Sequence, residues 1–139
     1  MRTFIFPLVL LTAACQQDQT EAGQKAQATS GSTEVFASGP GDRLCLKSGD
    51  GQVGIITYAA AGGSNCSVRG RIAEPGLIRP NGDEACEITY ARTGNTIALK
   101  EVGKSCAFYC GPGASLAGKT FARMDNGGEA VDLAGDPLC

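Results

Sequence analysis

The sequence predicts an all-β domain, a small antiparallel β-barrel or sandwich of about eight short strands, stapled by disulfides and following a disordered tether. Three observations predict it. From Arg43 onward, short runs alternating apolar with polar residues are cut by clusters of Gly, Asn, Asp, Ser and Pro. Between Arg43 and Cys139 no stretch keeps helical periodicity. Cys45, Cys66, Cys86, Cys106, Cys110 and Cys139 fall in this region, and an even set in an exported chain reads as three disulfides.

The export signal comes first. Residues 1–14 carry Arg2 as a positive end, an apolar run from Phe4 to Leu11, and the small residues Ala13 and Ala14. That run is too short to span a bilayer. Leu11-Thr12-Ala13-Ala14-Cys15 resembles a bacterial lipobox, with Thr12 where the family usually has Leu. The resemblance implies that Cys15 is acylated on sulfur and becomes the first residue of the mature chain. It also implies that Gln16, in place of the Asp that marks inner-membrane retention, directs the protein to the outer membrane, facing the periplasm. Ordinary secretory cleavage after Ala14 is the other reading, but it leaves an odd thiol at an exposed N-terminus.

Roughly 125 residues remain after cleavage, enough for one small domain burying about two thirds of its unfolded-chain surface. Residues 15–41 are expected to be the lipidated, flexible tether. Beyond Cys15 they are rich in Gln, Thr, Ser, Ala and Gly, with only Val35 and Phe36 as sizeable apolar groups. A coil of that length spans about 25 to 30 Å. Residues 42–139 are expected to form the β-domain.

Within that domain, Arg43 to Lys47 and Gln52 to Tyr58 flank Ser48-Gly49-Asp50-Gly51 and predict a hairpin. Ser67 to Ile72 is the next strand, ended by Glu74-Pro75-Gly76. Glu84 to Ala91 and Thr96 to Val102 form a second hairpin around Arg92-Thr93-Gly94-Asn95. Pairing Tyr90 with Ile97 and Ile88 with Leu99 sets all four on one face, which predicts a four-residue loop. Cys106 to Cys110 is expected to be a strand, in which those two cysteines stand too far apart to bond to each other. Thr120 to Arg123 and Glu129 to Leu133 are the expected closing pair.

The chemistry excluded is as informative. The chain has no histidine, so neither a Ser-His nor a Cys-His pair exists, and with no Cys-x-x-Cys no metal or cofactor is expected. Gly113 to Thr120 matches the phosphate-loop pattern G-x-x-x-x-G-K-T, but Phe121 to Gly128 cannot supply the helix that pattern needs, so no nucleotide is expected. Asp83-Glu84 reads as solvated acids in a turn. A formal net charge of −2 argues against nucleic acid.

Leu44-Cys45-Leu46, the Gly49 to Gly51 turn and Val53 to Tyr58 are similar to the opening of the membrane-bound inhibitors of c-type lysozyme. Lys119-Thr120-Phe121, Gly127-Gly128-Glu129-Ala130, Leu133, Gly135 and the final Cys139 are similar to that family's closing strands. The resemblance implies a small β-barrel, commonly lipid-anchored, that inserts a loop into the lysozyme cleft. It implies that a hydroxyl and a cation do the work, and Ser115 and Lys119 are the residues carried over. The family's loop has Ser-Gly, two variable residues and Tyr, whereas this chain offers Gly113-Ala114-Ser115 with no tyrosine after it. The resemblance also implies a Cys45–Cys139 bridge and leaves the other pairings open. The expected partners are the membrane, through the lipid, and a lysozyme or another envelope protein. A structural or assembly role without inhibition is the alternative.

Overall fold

The computed structural model describes residues 31–139. The signal peptide, Cys15 and the tether up to residue 30 lie outside the described residues. Eight strands follow one another as a meander: β1 (Thr33–Ser38), β2 (Asp42–Lys47), β3 (Gln52–Tyr58), β4 (Asn65–Glu74), β5 (Leu77–Pro80), β6 (Ile88–Thr93), β7 (Thr96–Val102) and β8 (Thr120–Arg123). Each pairs antiparallel with the next, and β8 pairs with β1, so the sheet is a closed barrel with no free edge. The all-β class, the antiparallel barrel and the number of strands agree with the sequence reading.

Alternation fills the barrel. Leu44 and Leu46 of β2, Val53 and Ile55 of β3, Val68 of β4, Ile97 and Leu99 of β7 and Phe121 of β8 all point inward and are buried with Phe36 of β1. β3 is buried on both faces, because Gly54 and Ile56 lie outside the barrel under the C-terminal segment. There Leu138 and Ala130 form a second small cluster with Cys45 and Ile56, and Asp132 reaches Arg69 of β4 at 2.7 Å.

Three disulfides staple this arrangement: Cys45–Cys139, Cys66–Cys110 and Cys86–Cys106. The first is the pair that the resemblance implied. Each of the others joins a connection between strands to the barrel wall or to another connection.

Several elements differ from the sequence reading. β1 lies within the stretch expected to be tether, because Val35 and Phe36 are enough to seat a strand once β2 and β8 flank it. The domain therefore begins before residue 42. β5 was not expected, while Glu129 to Leu133 is not a strand and retains only an isolated bridge between Val131 and Pro137. Glu84 to Glu87 is a loop, and β6 starts at Ile88. From Tyr90 to Thr93 the β6–β7 register is shifted by two residues, with Tyr90 opposite Leu99 and Arg92 opposite Ile97, and a bulge between Ile88 and Tyr90 then sets Ile88 opposite Val102 instead of Leu99. Faces survive a shift of two, so alternation could not detect it. The turn is the two residues Gly94-Asn95, with Gly94 supplying a φ of 56°. Finally, Cys106 to Cys110 is not extended but belongs to a 3-10 helix, Lys104–Tyr109, and its end.

Candidate functional site

The meander sorts the connections into two groups. Chain entry at Thr33 and the β2–β3, β4–β5 and β6–β7 turns lie at one end of the barrel. The β1–β2, β3–β4, β5–β6 and β7–β8 connections lie at the other, the mouth. The longest of them, β7–β8, carries the 3-10 helix and both candidate residues, Ser115 and Lys119.

Sequence and covalent bonds together hold this connection down. The Gly103 amide donates to the Glu87 carbonyl at 2.8 Å, and the Gly111 amide donates to the Asn65 carbonyl at the same distance. Between these points, Cys106 is bonded to Cys86 and Cys110 to Cys66. The Ser105 hydroxyl donates to the Ala85 carbonyl. The Tyr109 hydroxyl donates to the Asp83 carboxylate at 3.1 Å, and burial, reinforced by that carboxylate, pushes the phenol above its ordinary pKa.

Beyond Cys110 the chain crosses the mouth and plugs it with Leu116, which is fully buried among the interior residues. Thr57, at the mouth end of β3, donates its hydroxyl to the Ser115 carbonyl at 3.1 Å. The Ser115 hydroxyl itself faces solvent and accepts from the Ala117 amide at 3.1 Å. Lys119 lies at the base of the loop. Its ammonium donates to Asp42 at 2.6 Å, and the other oxygen of Asp42, nearly buried, accepts from the Tyr58 amide at 2.8 Å.

Ser115 and Lys119 thus share the mouth but not a hollow. Ser115 lines a recess with Val102, Cys106 and Cys110. Lys119 lines another with Gly39, Pro40, Tyr58 and Ala60. The cation that the resemblance calls for is already paired with an acid of its own chain.

Sequence reasoning missed Phe108. In a strand, Cys106, Phe108 and Cys110 would share one face and bury the ring. In the 3-10 helix, Cys106 and Tyr109 share the inner face and Phe108 turns outward, 89% exposed. Lys104, on the same helix, is exposed and has no ion pair among the described residues. The short Cys-x-x-x-Cys spacing is the signal that could have suggested a turn here.

The residues of the other patterns weighed in the sequence have partners in the fold. Asp83 accepts from the Ala85 and Cys86 amides, and Glu84 is held by Arg79 at 3.0 Å and Arg71 at 3.6 Å. Gly113 to Thr120 runs into β8 rather than into a helix. All six cysteines of residues 31–139 are in disulfides. Compared with family models, curated proteins and solved structures, the chain matches none.

Proposed function

We propose that this is a lipoprotein of the cell envelope, acylated at Cys15, that displays the barrel as a non-catalytic binding module. Its address is the outer membrane, facing the periplasm, and the mouth is the surface that meets a protein partner. The observation that carries the reading is the β7–β8 connection. It is fixed by two disulfides at the end of the barrel opposite chain entry, where an anchored domain can reach outward. A loop held in one conformation loses little entropy when it binds, which is the property a recognition surface needs.

The partner we infer is a c-type lysozyme. The closed barrel, the Cys45–Cys139 bridge and the exposed Ser115 hydroxyl support it. The test uses the non-acylated chain, residues 16–139. It should slow c-type lysozyme at micromolar concentration, and Ser115→Ala with Lys119→Ala should weaken inhibition by about tenfold or more. An uninhibited enzyme removes lysozyme as the partner.

One observation favours a structural or assembly role instead, namely that Lys119 is paired with Asp42 and so braces the mouth. That reading expects a defined envelope complex to co-purify with the protein and to be lost when the β-domain, but not the tether, is deleted. The address has its own check. Mass spectrometry of the N-terminal peptide should find Cys15 acylated, and an unmodified Cys15 would overturn the anchoring.

A further inference from the structure

We propose that the barrel self-associates, with Phe108 of one copy entering a hollow on the flank of the next. Phe36 and Phe121 are completely buried, whereas Phe108 is 89% exposed. It stands on a short helix held by the Cys86–Cys106 bridge at its middle and the Cys66–Cys110 bridge just past its end. The Tyr109 ring lies edge-on to it with centroids 5.7 Å apart, and is itself fixed by Asp83. The ring is therefore an exposed apolar knob on a backbone with little freedom left to lose.

The matching hole is on the same molecule. Between the C-terminal segment and the outer side of β1 lies an open hollow of about 350 Å³. Val35, Gly128, Ala130, Val131 and Pro137 line it together with Glu129, which is exposed. A cavity of about 150 Å³ accepts a benzene ring, so a phenylalanine side chain fits here. Neither Glu129 nor Lys104 has an ion pair among the described residues. Lys104 lies four residues before Phe108 on this 3-10 helix, about a third of a turn round from it, and both are exposed, so the end of the barrel that bears the knob also bears a cation, while Glu129 gives the hole an anion.

Knob and hole occupy different faces, one at the mouth and one on the flank. The proposed contact is head-to-tail, so it adds copies either as an open chain or as a ring of more than two. A lipid surface is the other occupant an exposed aromatic suggests. A lipid surface would engage Phe108 and Lys104 alone, whereas a second copy also fills the flank hollow and gives Lys104 the Glu129 carboxylate to face.

Sedimentation velocity of the oxidised, non-acylated chain, residues 16–139, tests the contact from micromolar to millimolar concentration. The weight-average mass should rise with concentration without stopping at a dimer. Phe108→Ala, a surface change whose fold is checked by circular dichroism, should weaken association by about tenfold or more. Lys104→Glu and Glu129→Lys should each weaken it, and the double variant should recover it. A domain that stays monomeric at millimolar concentration overturns the proposal. So does association indifferent to Phe108, or a double variant no better than the singles. Phe108-dependent co-sedimentation of a monomeric domain with phosphatidylglycerol–phosphatidylethanolamine vesicles would assign the ring to lipid and likewise overturn it.

Discussion

At Gly54 the barrel wall has no room for a side chain. A Cβ there would lie 2.5 Å from the Leu138 carbonyl oxygen and 2.6 Å from the Leu138 Cβ, because the C-terminal segment lies directly on β3. Gly54→Ala must push that segment outward and disturb the small cluster of Ile56, Ala130 and Leu138. The expected cost is about 1 to 3 kcal/mol, and each kcal/mol lowers the melting temperature of a domain this size by about 4 to 8 °C. Thermal unfolding of the oxidised protein checks it, and an unchanged melting temperature would show that the segment does not press on β3. Glu34 carries a different prediction. Arg92 donates to both its oxygens at 2.8 and 2.9 Å while lying over the Phe36 ring, and Arg123 approaches at 3.2 Å. Chiefly the Arg92 hydrogen bonds hold the Glu34 carboxyl below its ordinary pKa, against a smaller opposing effect of burial. A folded pKa below the unfolded one means the carboxylate stabilises the fold above the unfolded pKa. That contribution is lost as pH falls through the folded pKa. Glu34→Gln should therefore be less stable than the parent at neutral pH, with the gap narrowing as pH falls below about 4. Denaturant titrations at the two pH values measure it, and a gap independent of pH would contradict it.

At the scale of elements, what the sequence made legible was what period two alone determines. β2, β3 and β7 run close to where alternation and turn residues put them, because each carries inward apolar residues at every second position and has Gly or Asn near its ends. The β6–β7 register was not legible, since a shift of two leaves every side chain on its face and only the backbone of Gly94 separates the alternatives. β1 and β5 were missed as well. β5 has only four residues, too few for alternation to register, and β1, in a stretch whose composition reads as tether, is fixed in part by the distant β8 through Phe36 and Arg123. The candidate site was half legible. Ser115 is exposed as expected, but nothing in the sequence announces that Lys119 is claimed by Asp42, 77 positions away. Phe108 was hidden by reading a Cys-x-x-x-Cys segment as extended. The disulfides themselves yield an element-scale prediction, because each closes a different length of chain: 94 residues for Cys45–Cys139, 44 for Cys66–Cys110 and 20 for Cys86–Cys106. Loop-closure entropy alone makes their removal cost about 5, 4 and 3 kcal/mol respectively. Replacing each pair by alanines should reproduce that order in denaturant unfolding. The first should also free the C-terminal segment, seen as faster amide exchange at Leu138, whose amide is bonded to the Ala130 carbonyl. An inverted order would place the stabilisation in the folded state rather than in the unfolded chain.

For the whole molecule, closure is the property on which everything else depends, and it rests on β1. That strand pairs with β2 over six residue pairs, Thr33↔Lys47 to Ser38↔Asp42, and with β8 through Phe36 and Ala37. It also places Phe36 in the interior, where no solvent reaches it. Removing it would leave two unpaired edges facing each other across a gap and a void the size of a phenylalanine. The mouth would suffer as well, because Asp42, which holds both Lys119 and the Tyr58 amide, follows directly from the β1–β2 turn. Domain boundaries read from composition would start the fragment at residue 42 and discard this strand. The two boundaries therefore make opposite predictions. A fragment of residues 31–139 should unfold in one cooperative thermal transition and run as a folded domain on size exclusion. A fragment of residues 42–139 should aggregate, or show no cooperative transition, even with its three disulfides formed. Phe36→Ala in the longer fragment separates the two causes. It keeps the pairing and loses the ring, so it should cost about 3 to 5 kcal/mol while leaving the barrel closed. If residues 42–139 fold as well as residues 31–139, β1 is dispensable, and the edges it covers must be protected in some other way.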